Sequence, residues 1–320
     1  MSQTTLYHRL STYYLFFVLV IIAPIPSASA TGILPPPEKI SDHVYAWIGP
    51  LEGPSEKNHG YRMNMAFIVG EQFVAVIDTG YTTEMAHEMV SYIRKTTELP
   101  IRYAINTNSQ PHRYMGNDVF RQLGAETIAH IDSAKRMEGM GSQFATAIEF
   151  ILKKKASKVT LPQPPSRVID SDITLDLGAL EIKIRYMGAG HTPAQLIVEI
   201  PQDNLIYAGD LLYSERLLAI LSDSNIRSWI TAYDKLAGFG DVLFIPGHGK
   251  PAKLEMFSHP TRSYLALVDK HMIQAVEEMM ELQDAINTLD QKNYKDLTNF
   301  EQLSGRNASW AYLYYESNAM

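Results

Sequence analysis

"INTNSQPHRYMGN", residues Ile105–Asn117, decides how this chain is read. It follows Ile101–Ile105, an apolar run of strand length. It offers Thr107, Asn108, Gln110, His112 and Arg113 before Gly116-Asn117. A dense polar stretch directly after a strand is where an α/β fold exposes functional side chains. Here the side chains are mostly amides, with one histidine and one arginine.

Working outward, the runs His43–Ile48, Ala66–Val69 and Phe73–Ile77 read as strands, the last ending in Asp78-Thr79-Gly80. Met85, Met89, Val90 and Ile93 recur at helical spacing, which predicts a helix over Thr83–Lys95, stopped by Pro100. After Asn117 a second stripe, Val119, Phe120 and Leu123, closes at Gly124. Thr127–His130 is a short strand, and Ser142–Lys154 a helix. "LPQPPS", Leu161–Ser166, is a Pro-rich joint, and beyond it the α/β pattern restarts. Leu180, Ile182, Ile184 and Tyr186 alternate with polar residues, as in a strand buried on one face. Strands follow at Gln195–Ile200, Leu205–Ala208 and Val242–Ile245, with a helix over Ile226–Leu236. From about Glu255 the pattern is helical, running through Leu265, Val268, Met272, Val276 and Met280 toward Asp290. A last helix is expected over Asn299–Tyr315.

Composition narrows the function classes. A chain of 320 residues that is 46% hydrophobic and 20% charged has enough apolar material for a large core and is not a disordered chain. The net charge is -7, and the longest basic run is Lys153–Lys155, so nothing points to nucleic acid. His8 and Arg9 precede the apolar run Tyr13–Ile22, then Ala28-Ser29-Ala30. This is the form of a secretory signal peptide over residues 1–30, and the expected location is periplasmic or secreted. There is no cysteine, so any metal must be held by His, Asp, Glu, amides or water.

Five loops at strand ends carry the candidate chemistry: Asp78-Thr79-Gly80, the opening stretch, "GAGHTPAQ" with His191, "AGDLLY" with Asp210, and "IPGHG" with His248. This order resembles the metallo-β-lactamase superfamily over about residues 40–255. The whole chain, with its tail "FEQLSGRNASWAYLYY", is similar to an exported branch described as quinoprotein-relay or sulfur-oxidation zinc hydrolases. The resemblance implies a four-layer αβ/βα sandwich over residues 38–255, a helical C-terminal extension over 256–320, and a metal site at one rim of the sheets. It also implies periplasmic quinoprotein systems as partners.

The family's first motif is H-x-H-x-D-H, then two residues, then Gly-Asn. Its spacing lets two imidazoles meet one ion while the following Asp-His pair turns to a second, and a metal-held hydroxide then attacks the substrate. Gly116-Asn117 and Thr107 fix the register. Asn108 and Gln110 stand at the first two ligand positions, His112 at the Asp position and Arg113 at the fourth. His191, Asp210 and His248 stand at later ligand positions, and Asp78 at a supporting position that hydrogen-bonds the site. Amide oxygens bind zinc poorly beside imidazole. An arginine cannot ligate, and at about 4 Å it would repel a dication by several kcal/mol even at an effective dielectric near 20. A two-metal site is therefore not expected. Two arrangements remain. Either Arg113 reaches the Asp210 carboxylate and replaces the metal, or it swings out and His112, His191, Asp210 and His248 hold one zinc ion. The cofactor is thus none or one zinc, and the chain is a pseudoenzyme and binding or accessory protein, or a mono-zinc hydrolase of an ester, amide or lactam-like bond.

The loop Gly49–Met65 should overhang this site. Trp47, Tyr61, Arg62, Met63, Tyr114, Met115, Tyr213 and Arg216 are candidate pocket residues for a small-molecule ligand. Arg62, Arg113 and Arg216 together point to an anionic one.

Overall fold

The computed structural model describes residues 32–153 and 161–319, and the expected signal peptide lies outside them. The first half builds β1 (Glu38–Lys39), β2 (Val44–Trp47), β3 (Met65–Val69), β4 (Val74–Ile77), α1 (Thr83–Thr96), β5 (Ile101–Ile105), α2 (Pro111–Tyr114), α3 (Asn117–Gln122), β6 (Glu126–His130), α4 (Ile131–Leu152) and β7 (Arg167–Ile169). Its strands form one seven-stranded sheet in chain order. The second half builds β8 (Ile173–Asp176), β9 (Glu181–Gly188), β10 (Gln195–Ile200), β11 (Leu205–Tyr213), α5 (Ile226–Leu236), β12 (Leu243–His248), α6 (Tyr264–Glu277), α7 (Leu282–Thr288) and α8 (Phe300–Ala319). Its sheet runs β12-β11-β10-β9-β8.

Period-2 alternation sorts the strand side chains into layers. On β3 and β4, Ala66, Ile68, Ala75 and Ile77 face a core shared with Leu196, Val198 and Tyr207 of the other sheet. The alternate residues Phe67, Val74 and Val76 pack with Met85, Met89 and Ile93 of α1. Across the molecule, Ile197 and Ile206 pack beneath Trp229 of α5, Val268 of α6 and Tyr312 of α8. The layering is therefore helix, sheet, sheet, helix. Each layer is apolar on the face it must bury, which is the general logic of such sandwiches. The Met and Tyr residues of the C-terminal helices are packing residues in that last core.

α1 shows how local sequence sets an element. The Thr82 side chain accepts from the Met85 amide at 3.2 Å, Glu84 sits in the first turn, and Arg94 and Lys95 sit in the last. These complement the helix dipole.

Four expectations are corrected. α4 begins at Ile131 rather than Ser142. The His130 ring caps it by accepting from the Asp132 amide, and Gly139 and Gly141 interrupt the apolar periodicity from which the start would be read. The Pro-rich joint is not the boundary between halves, because β7 follows it and still pairs with β6. The chain changes sheet at Asp170–Asp172, between strands too short to show a pattern. β11 extends past Ala208 to Tyr213, so Asp210 lies within the strand. The long C-terminal helix breaks after Glu277. There Met279 adopts φ 55°, and the Met280 amide returns to the Ala275 carbonyl at 2.8 Å. That left-handed helix end normally announces itself with glycine.

Candidate functional site

The site forms where β4, β5, β11 and β12 end. β4 lies parallel to β5, and β11 parallel to β12, so their carboxyl ends deliver Asp78, the Thr107–Arg113 loop, Asp210 and His248 to one rim. Asp78, Asn108, Arg113 and Asp210 are each 0% exposed, which makes the partners of every charge decisive.

Arg113 is at the centre. Its Nε and Nη2 donate to the two oxygens of Asp210, at 3.1 and 2.5 Å. Its Nη1 donates to Asp78 at 2.9 Å, to the Asn64 carbonyl at 2.8 Å and to the Tyr207 hydroxyl at 3.1 Å. Nη2 also reaches the Gly247 carbonyl at 3.3 Å. The planar fork thus spans two buried carboxylates, a geometry that lysine could not reproduce.

The carboxylates are completed by neutral donors. Asn108 Nδ2 donates to Asp210 at 2.8 Å. The Thr107 amide and hydroxyl donate to Asp78 at 2.8 and 3.0 Å. Those contacts hold Asp78 at φ 60°, a left-handed conformation that asparagine and aspartate tolerate better than most residues. The Tyr207 hydroxyl donates to the Asn64 carbonyl at 2.6 Å and lies 3.0 Å from Asp78. Asn64 itself ties the Gly49–Met65 loop down, since its Nδ2 donates to the Pro246 and Gly249 carbonyls at 2.8 and 2.7 Å.

One guanidinium serves two carboxylates unequally. Burial pushes both acids up. At Asp210 the bidentate Arg113 outweighs burial and holds the group well below the usual carboxylate range. At Asp78 burial wins over the single Arg113 contact, and the nearby Asp210 charge adds to it, so the group is raised to about 6. The histidines move the other way. Burial, aided by the Arg113 charge, lowers His112 to about 3; burial lowers His191 to about 4; burial and the Arg216 charge hold His248 well below its ordinary value.

His112, Asp210 and His248 bring one potential ligand atom each within 4.8 Å of one another. His191 is not in that group. Its Nδ1 donates to the Ala219 carbonyl at 2.8 Å, and its ring packs against Trp229. The expected four-ligand set is thus three converging residues and one apart. The Nε2 atoms of His112 and His248 lie 3.5 and 3.3 Å from Asp210, and both are buried without a hydrogen bond. His248 Nδ1 gives its proton to the Arg62 carbonyl at 2.8 Å, so the neutral ring turns a lone pair toward the carboxylate.

That spacing suits one cation. The guanidinium of Arg113 already supplies one, on both oxygens of the carboxylate an ion would need. Asn108 turns its Nδ2 to Asp210, and its Oδ1 accepts from the Gln110 amide at 2.8 Å, leaving neither for a metal. The residues present do not fit a two-ion centre.

Gly247 makes the pairing possible. A Cβ there would lie 2.7 Å from Arg113 Nη2 and closer still to Asp210 Oδ1. Gly247→Ala is expected to destabilise the protein by about 1–3 kcal/mol through overpacking against an ion pair that cannot move. A urea unfolding curve matching that of the native protein would contradict this.

Of the proposed pocket residues, Trp47, Met63 and Tyr213 are at most 1% exposed and belong to packed cores. Tyr114 lines a different cavity, with Met137 and Leu161. Arg62 and Arg216 do line a cavity, whereas Arg113 is consumed by the carboxylates. Asn64 and Tyr207 were missed from sequence. Asn64 sits between two methionines with no motif around it, and Tyr207 reads as one more apolar strand residue in "LIYAGD".

A sequence profile of the metallo-beta-lactamase superfamily matches residues 61–248, more than half of the chain, and the chain belongs to that family. It is 25% identical over 238 residues to "Metallo-beta-lactamase IND-1" of Chryseobacterium indologenes, covering 73% of this chain and 89% of that protein. It is 23% identical over 228 residues to a type 2 metallo-beta-lactamase of Bacteroides fragilis, covering 69% and 82%. Among solved structures, a metallo-beta-lactamase from Pontibacter korlensis superposes with a TM-score of 0.59 at 19% identity, over 72% of this chain and 98% of that one. At that identity the likeness shows the fold, a two-sheet α/β sandwich.

Proposed function

We propose that this member of the metallo-β-lactamase superfamily is a pseudoenzyme, working in the exported space as a binding or accessory protein. The observation that carries the reading is the guanidinium of Arg113 seated on both oxygens of Asp210. A metal-held hydroxide needs a dication on that carboxylate, and the buried arginine supplies the positive charge without a coordination position for water. Asn108 and Gln110 at the first ligand positions support the same reading, since neither replaces an imidazole. Export rests on the basic start, the apolar run Tyr13–Ile22 and Ala28-Ser29-Ala30. A place beside periplasmic quinoprotein dehydrogenases rests on the likeness of the C-terminal tail to the exported branch.

A second reading has one specific observation behind it. The unpartnered Nε2 atoms of His112 and His248 face Asp210, and with Arg113 displaced these three residues could hold a single zinc ion. His191 keeps a free Nε2 while its Nδ1 donates to Ala219, but it stands outside the converging group and would have to move toward it to complete the set.

Hydrolysis separates the two. The native protein, assayed with excess zinc against a chromogenic β-lactam, a lactone and an aryl ester, is expected to show no zinc-dependent rate above buffer. A rate that is lost with chelator and lost in His248→Ala would establish the mono-zinc hydrolase instead.

A further inference from the structure

Beside the Asp210 cluster lies a cavity of about 350 Å³ whose charged lining is three arginines: Arg62, Arg216 and Arg306. Among the described residues no acidic side chain lines it. Arg216 is 2% exposed, and no carboxylate among the described residues pairs with any of the three. The hydrogen bonds of Arg216 are poor. Its Nε is 3.5 Å from the Leu217 carbonyl, and its Nη1 is 3.4 Å from His248 Nδ1, which spends its own proton on the Arg62 carbonyl and has nothing to accept with. Arg62 Nε is enclosed without any partner.

A buried guanidinium without a paired carboxylate is costly, and the half-buried Arg62 beside it, with its Nε enclosed, adds to that cost. The chain has 35 acidic residues against 28 basic ones, so acids were available to neutralise these groups. The remaining wall is suited to an anion as well. Asn299 directly precedes α8, and Gln302 and Leu303 lie in the first turn of that 20-residue helix, whose N-terminal end carries partial positive charge.

We propose that this cavity binds a small organic anion with at least two negative charges, a dicarboxylate or a phosphomonoester, with Arg216 beneath it and Arg62 and Arg306 beside it. Guanidinium forks pair bidentately with both oxyanions, and three cations call for more than one negative charge. The inference rests on the binding-protein reading and gives it a ligand class. It adds a role for the C-terminal extension, which brings Arg306 to the loop of Arg62.

The test is isothermal titration of the full chain, pretreated with chelator, with inorganic phosphate, succinate and acetate. One dianion is expected to bind one per chain and at least about tenfold more tightly than acetate. Arg306 is exposed, so Arg306→Gln should fold normally and weaken that binding about tenfold or more; Arg216→Gln should weaken it further; Arg102→Gln, remote from the cavity, should leave it unchanged. A phosphate preference identifies the phosphomonoester class, and a succinate preference the dicarboxylate. Absence of saturable binding by both dianions at about 10 mM, or equal binding by Arg306→Gln and native protein, overturns the proposal. Zinc content and hydrolysis are measured on the same preparations. Failed anion binding in a zinc-free, inert protein ends this inference alone, whereas zinc-dependent hydrolysis ends the pseudoenzyme reading whatever the titration shows.

Discussion

Replacing Arg113 with alanine is expected to cost about 3–5 kcal/mol of folding stability, because it strands two fully buried carboxylates at once. Asp210 loses both hydrogen bonds from the guanidinium, and Asp78 loses the one ion-pair partner it has among the described residues. The Asn64 carbonyl and the Tyr207 hydroxyl lose a donor as well. This is far beyond the effect of an exposed ion pair, such as Lys135 with Asp132, where water takes over. Chemical unfolding of the two proteins measures the difference. An unchanged midpoint would contradict the structural role given to Arg113. A companion variant keeps the claim testable should Arg113→Ala fail to fold. Arg113→Met combined with Asp78→Asn and Asp210→Asn removes all three charges together and is expected to recover much of the loss.

Acidification is expected to have the second large effect. His112, His191 and His248 are all held neutral in the fold, the first two at about 3 and about 4. In the unfolded chain they titrate near 6.5. Below that value the unfolded state therefore binds more protons, and stability falls as the pH falls toward 4. Asp78 opposes this. Its folded value of about 6 lies above the unfolded one, so between roughly 6 and 4 the folded state holds the extra proton and gains stability on acidification. Three histidines against one aspartate leave a net uptake of about two protons on unfolding, a slope of roughly 2–3 kcal/mol per pH unit at its steepest. Urea midpoints at pH 7.5, about 6 and about 5 should fall in that order. A midpoint that is flat or rises over this range would contradict the burial of neutral imidazoles here.

Much of this organisation was legible in the sequence. Strands buried on both faces, such as Val74–Ile77, show as short apolar runs, and their abrupt ends at Asp78 and at Thr107 mark the rim. The meeting of Arg113 with Asp210 was one of the two arrangements left open once Gly116-Asn117 fixed the register, because two ligand positions of one ion must lie within side-chain reach. The sharing of Arg113 with Asp78 was not. Asp78-Thr79-Gly80 reads equally well as a turn, and nothing local says that its carboxylate faces inward. Nor could Arg306 be assigned, since it lies in a helix whose sequence gives no sign of which loop it packs beside. Met279 ends a helix with a conformation that its side chain disfavours, so the break left no trace in the composition. Contacts between residues far apart in the chain, such as Asn64 with Pro246, depend on the assembled layers rather than on any pattern around either residue.

The most direct measurement is the zinc content of the native protein after equilibrium dialysis against excess zinc, by elemental analysis. With Arg113 in the place of the ion, the expected content is far below one zinc per chain. One or more zinc ions per chain, retained through dialysis and lost in His248→Ala, would contradict the replacement of the metal by the arginine.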